Sequence, residues 1–110
     1  MQQRYRIRTN GHFRYVYRKG KHASGKLFRV HYVKARRLQV GFSVSRQVGN
    51  AVTRNLVKRR LREAFRSLIP VLANGSYVIT ANPAAAMASY TELCSNMAAQ
   101  LTRLGVLRDM

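Results

Sequence analysis

Between Asn50 and Arg66 the chain reads NAVTRNLVKRRLREAFR, a segment that leaves few choices about how the rest must fold. At about 100° per residue, Val57, Leu61, Ala64 and Leu68 gather in one narrow sector with Phe65 beside it, so a helix here has a seam that must be buried. Counting on from Asn55 in steps of four, three and four gives Arg59, Arg62 and Arg66, a second stripe next to the first. Arg54 and Lys58 stand on the border between them. Like charges at these spacings repel by about 0.2 to 0.5 kcal/mol per pair. A merely solvated face would intersperse carboxylates at helical spacing, and Glu63 is the one carboxylate in the segment. The fold must therefore set one flank against a core and turn its neighbour toward something negative outside the chain.

Composition supports that partition. The chain has 110 residues and no internal repeat, which predicts one domain spanning 1–110. With 46% hydrophobic residues it can build a core, yet its net charge is +18, far beyond what solubility asks of a small domain. All the Lys and Arg except Arg103 and Arg108 precede residue 67, so the charge belongs to one part of the fold. That imbalance points to a polyanion. The acidic residues are Glu63, Glu92 and Asp109, too few for a nuclease site that holds metal on several carboxylates. His12, His22, His31 and Cys94 have no zinc-ligand spacing either, so no metal is expected on the protein. A lone cysteine, an N-terminus without a signal-like apolar run and the lack of about 18 consecutive apolar residues together suggest a cytoplasmic protein.

Around the basic helix the pattern alternates between periods. Asn10 to Gly20 reads as a helix, with Asn10 as cap, Gly20 as stop, and Phe13, Val16 and Tyr17 on one side. In KLFRVHYV, Phe28, Val30 and Tyr32 face one way and Arg29 and His31 the other. LQVGFSVS repeats this, with Leu38, Val40, Phe42 and Val44 inward and Gln39, Gly41, Ser43 and Ser45 outward, which suggests an antiparallel pair of strands. The basic helix should run to Leu68 or Ile69, just before Pro70. GSYVITA follows as a strand and NPAA as a break. Ser89 and Glu92 form a capping-box pattern that opens a last helix with Leu93, Met97, Leu101 and Leu104 on its seam.

The block GFSVSRQVGNAVTRNLVKRRLREAF resembles the centre of the bacterial ribonuclease P protein subunit, whose helix carries an Arg-Asn-Arg signature followed by Lys-Arg and Arg-Glu. The matching residues are Arg54 and Asn55, then Lys58, Arg59, Arg62 and Glu63, after Gly49, Asn50 and Ala51. The second Arg of the signature is Leu56 here, which helical projection places away from both the core sector and the Asn55 stripe, as an exposed residue. The resemblance implies an α+β fold in the order αβββαβα, with a mixed four-stranded sheet, a tiny first strand near Ala23 and a left-handed crossover through the basic helix.

It also implies a division of labour. In this family a large RNA is the catalyst and removes the 5′ leader of precursor tRNA with bound Mg2+, while the protein assists. The basic helix, through Arg54, Asn55, Lys58, Arg59, Arg62 and Arg66, would contact the catalytic RNA. A cleft between the first helix and the sheet would hold the leader, with Phe13 and Tyr17 as stacking residues, His31 at a position commonly aromatic, and Arg29, Ser43 and Arg46 as polar wall. Catalytic residues are not expected on the chain, nor a protein partner or a membrane. The alternative of another class is a small basic ribosomal protein of similar βαβ layout. A protein-only metal nuclease is disfavoured by the carboxylate count.

Overall fold

A computed structural model describes residues 5–108. Its elements are α1 (Asn10–Lys19), β1 (Lys21–Ser24), β2 (Phe28–Lys34), β3 (Gln39–Ser43), α2 (Ala51–Arg66), β4 (Gly75–Ala81) and α3 (Tyr90–Leu104), with 3-10 turns at Arg46–Val48, Ile69–Val71 and Pro83–Met87. The expected αβββαβα order is present.

The four strands form one mixed sheet in the order β1-β2-β4-β3. β1 and β2 are antiparallel, β2 and β4 are antiparallel, and β3 runs parallel to β4. The antiparallel pairing of β2 with β3 read from their shared alternation is therefore incorrect, because β4 lies between them. The reason is visible in GSYVITA, six of whose seven residues are buried. A strand buried on both faces belongs in the middle of a sheet, whereas a half-exposed one can lie nearer the edge. The parallel β3–β4 pair then needs a crossover connection, and α2 supplies it.

Both α2 and α3 cover one face of the sheet. Val57, Leu61, Ala64 and Phe65 of α2 join Leu93, Met97, Leu101 and Leu104 of α3 over Phe28, Val30, Tyr32, Val40, Tyr77 and Ile79. Phe65 is the hub, edge-on to Tyr77 at 5.3 Å and to Phe42 at 6.1 Å between ring centroids. Tyr77 donates its hydroxyl to the Ala73 carbonyl at 2.6 Å, and burial raises its pKa, so the phenol stays neutral in the core. Gln100, on the inner side of α3, donates to the carbonyls of Ala23 and Phe28 at 3.0 and 2.8 Å and so ties the β1–β2 hairpin to the helix.

Helix ends follow the chemistry of their caps. The capping box at α3 is complete: Glu92 N–H donates to Ser89 Oγ at 3.1 Å and Ser89 N–H to Glu92 Oε1 at 3.0 Å. Gly105 closes that helix at φ 74°, a left-handed conformation for which glycine carries no steric penalty. Asn50 caps α2 by accepting from Thr53 N–H at 2.9 Å. The cap of α1 is Thr9, not Asn10: the Thr9 hydroxyl accepts from His12 N–H at 3.1 Å, and Asn10 is the first helical residue. α2 ends at Arg66, earlier than the expected Leu68 or Ile69, because Ser67 folds its hydroxyl back onto the Ala64 carbonyl and a 3-10 turn around Pro70 takes over.

Candidate nucleic-acid interface

The outer flank of α2 is arranged as its periodicity requires. Asn55 and Arg59 are exposed, while Arg54, Lys58 and Arg62 are half-buried along the border with the core. Arg66, also exposed, donates to Glu63 at 2.7 Å, an i,i+3 ion pair that draws off part of its charge. The remaining described carboxylate, Glu92, is engaged in its capping box. Among the described residues no carboxylate is paired with Asn55, Lys58, Arg59 or Arg62. Lys58 shows the consequence: burial, then Arg62, then Arg6 lower its pKa, since each neighbour makes an added ammonium charge less favourable. Arg6 reaches this patch because the N-terminal segment bridges onto β3, with Ile7 N–H donating to the Val40 carbonyl at 3.0 Å. Sequence reasoning missed Arg6, since only the bridge to Val40 brings it beside α2.

Leu56 is half-buried, more sheltered than its projection implied, and it belongs to neither core cluster. Val52, one turn earlier on the same line of α2, is 78% exposed. This flank is thus apolar where the family signature carries a second guanidinium.

On the other face of the sheet lies α1. Strand register sets Ser24, Arg29, Thr80 and Ser43 in one row across the four strands, and His22, His31, Val78 and Gly41 in the next row on that face. α1 lies lengthwise over these rows. Val16 is fully buried beside Val78 and Ile7. Phe13 rests on Gly41, so close that a methyl group there would come 2.3 Å from its Cζ. Tyr17 is 37% exposed, shares a 2.8 Å hydrogen bond with Thr80 Oγ1, and meets the His31 ring edge-on with centroids 4.9 Å apart. His12, in the first turns of α1, has Nε2 2.9 Å from Ser76 Oγ.

The structure thus brings Phe13, Tyr17, Arg29, His31 and Ser43 onto one face, the two aromatics from the helix and the polar residues from the sheet beneath. Arg46 lies exposed in the 3-10 turn that follows β3, a short step beyond Ser43. Two further cleft residues, Thr80 and His22, were not singled out. Alternation within GSYVITA could have put Thr80 on this face, but only the register shows that it sits between Arg29 and Ser43. His31 is partly enclosed: burial foremost, then His22 and Arg29, hold its pKa below the usual histidine range, so the ring is neutral at pH 7.

The side chains gathered on this face are aromatic rings, imidazoles, hydroxyls and guanidinium groups, which suit binding of an anionic strand. Among the described residues no group of three His, Cys, Asp or Glu could hold a metal ion. With Glu63 in an ion pair and Glu92 in a cap, the described side chains do not suit a protein-held catalytic Mg2+. No described helix is long and apolar enough to cross a membrane.

Comparison with known proteins agrees with this geometry. The family model for ribonuclease P matches residues 1–105. A ribonuclease P protein component from an Exiguobacterium species is 37% identical over 99 residues, covering 88% of this chain and 87% of its own. One from Bacillus cereus is 33% identical over 112 residues, with 98% and 97% covered. The solved RNase P protein of Staphylococcus aureus superposes with a TM-score of 0.87 at 27% identity, over 94% of this chain and 98% of that one. Sequence, fold, a largely unpaired cationic helix on one side of the sheet and a half-open aromatic face on the other lead to one conclusion: the chain belongs to the bacterial ribonuclease P protein family, the protein component of the endoribonuclease that matures the 5′ end of tRNA.

Proposed function

We propose that α2 docks on the catalytic RNA of ribonuclease P through Arg54, Asn55, Lys58, Arg59, Arg62 and Arg66, and that the face between α1 and the sheet holds the 5′ leader of precursor tRNA. Support for the first part comes from one observation above all: Asn55 and Arg59 are exposed and Arg62 is half-exposed beside them, with no carboxylate of the described chain paired to any of the three. Such a surface is self-repelling until a polyanion docks, and guanidinium groups bind phosphate oxygens two at a time. Arg66 contributes least, because it must first share its charge with Glu63.

The leader path is built for a strand of varied sequence. Phe13 and Tyr17 offer rings to unpaired bases, and stacking is worth about 1 to 3 kcal/mol per base without reading its identity. Arg29, Ser43 and Arg46 line the route with donors to phosphate or ribose. Bond cleavage itself falls to the RNA, with Mg2+ held chiefly by that RNA, and the holoenzyme works in the cytoplasm.

The decisive experiment is precursor-tRNA cleavage by protein alone, by the RNA subunit alone and by the pair at low Mg2+. Stimulation of the RNA by the protein is the expected result. A pair that cuts no faster than RNA alone removes this reading, and cutting by the protein alone would move the chemistry onto the protein.

A further inference from the structure

His31 departs from a plain aromatic wall, and its surroundings suggest why. His22 and His31 are direct partners across the β1–β2 ladder, and their rings stack with centroids 5.4 Å apart and planes inclined by 27°. Tyr17 of α1 closes the other side of His31, edge-on. Arg29 lies on the same face of β2, and the β4 residues opposite, Val78 and Thr80, are uncharged. Among the described residues no carboxylate is left for this patch, since Glu63 pairs with Arg66 and Glu92 caps α3. Two imidazoles and a guanidinium share the surface with nothing negative to balance them.

The two rings are not equivalent. His31 Nδ1 is enclosed and has no hydrogen-bond partner, which favours the neutral tautomer with its proton on Nε2. The lowered pKa of His31 has the same sense. His22 is exposed on the edge strand β1, so a proton added there does not bury an unsatisfied N–H. A neutral ring beneath an imidazolium is a favourable platform, and the cation keeps its donors turned to solvent.

We propose that His22 is a phosphate-binding residue of the leader path: a phosphate oxygen of single-stranded RNA docks on its imidazole, flanked by Arg29, and draws one proton from solvent onto His22 while His31 stays neutral beneath it. This rests on the leader-binding reading above and gives that path an added residue and a pH dependence. Edge strand β1 becomes part of the route taken by the RNA.

Affinity of the full-length protein for a labelled single-stranded RNA oligonucleotide, read by fluorescence anisotropy at constant ionic strength, tests this. Between about pH 8 and about pH 6 the affinity should rise roughly three- to tenfold, the range expected for uptake of one proton by a histidine. The same rise is expected in His12→Gln and in His31→Tyr, which keeps an aromatic platform, and it should vanish in His22→Gln. His22→Lys, with a permanent charge, should bind at about pH 8 as tightly as the unmodified protein does at about pH 6. A rise that survives His22→Gln, one that disappears in His12→Gln, or weak binding by His22→Lys at the higher pH overturns the proposal. So does an equal rise on an oligonucleotide with uncharged methylphosphonate linkages. Stimulation of precursor cleavage by the unmodified protein reads the wider function separately, so either can fail without the other.

Discussion

The face of the sheet beneath α2 and α3 and the face beneath α1 come from the same four strands but are closed to different degrees. On the first, Phe28, Val30, Tyr77 and Ile79 are sealed by two helices whose seams are themselves buried. On the second, the fully apolar contact is limited to Ile7, Val16 and Val78, with Phe13 and Val33 only partly covered, and polar residues occupy the rest of the rows. Hydrophobic burial is close to proportional to area removed from water. Stability therefore resides chiefly on the α2–α3 side, and the α1 side keeps rings, imidazoles and donors within reach of solvent. Because α2 seals one side while its outer flank repels itself, a single helix carries much of the core and also the surface proposed to dock on RNA.

The sharpest way to break this contrast is to strike the closed side. Phe65→Ala removes the ring that meets both Tyr77 and Phe42, and should cost about 3 to 5 kcal/mol of folding stability by cavity formation. Denaturant unfolding in phosphate buffer measures it. A loss comparable to that of an exposed substitution would mean that the core does not rest on α2.

Next in size are changes on the outer flank of that helix, where stability should hardly move and RNA affinity should. Arg59→Ala or Arg62→Ala should weaken binding of the RNA subunit by about 1.5 to 3 kcal/mol, as expected for a charge-assisted hydrogen bond. Each should also lower the slope of log affinity against log salt by about 0.7 to 0.9. Leu56→Ala, on the apolar flank, should leave both the affinity and the slope nearly unchanged. Equal losses at the three positions in a salt titration would place the RNA on a different side of α2.

A third substitution tests the half-open face. Gly41→Ala sets a methyl group against the Phe13 ring, which must tilt or lift α1 to make room. Overpacking of this kind should cost about 1 to 2 kcal/mol of stability. Leader affinity should fall with it, while affinity for the RNA subunit, which the proposal assigns to α2, should not. Binding measurements with a leader oligonucleotide and with the RNA subunit separate the two, and a parallel loss in both would show that the faces are not independent.

How much of this could be read from the chain alone depended on whether a feature is local. The seam of α2, the capping box of Ser89 and Glu92 and the alternation of β2 are set by neighbours two to four residues away, and they stand where periodicity puts them. Strand order was not legible in that way, because alternation in β2 and β3 says which residues share a face and nothing about which strand lies beside them. The row Arg29, Thr80, Ser43 exists only through the register of β4, and the position of Arg6 beside Lys58 only through the bridge to Val40. Asn10 was a plausible cap by residue type, yet Thr9 holds the extended conformation at φ −122° and ψ 150° that a cap requires. The His22–His31 stack likewise depends on pairing across β1, a strand of four residues with almost no signal of its own.

The smallest expected effect concerns His31 in the protein without RNA. Its folded pKa lies below the ordinary value of 6.5, so the unfolded chain binds the proton more readily. Its contribution to stability is therefore fully present above pH 6.5 and is lost as the pH falls through the lowered folded value. Melting curves between about pH 7.5 and about pH 5.5 should accordingly show a steeper loss for the unmodified protein than for His31→Gln, because glutamine does not titrate in that window. Identical pH profiles for the two proteins would mean that the enclosure of His31 between Tyr17 and His22 does not govern its titration, and the half-open face would then be wetter than its ring contacts imply.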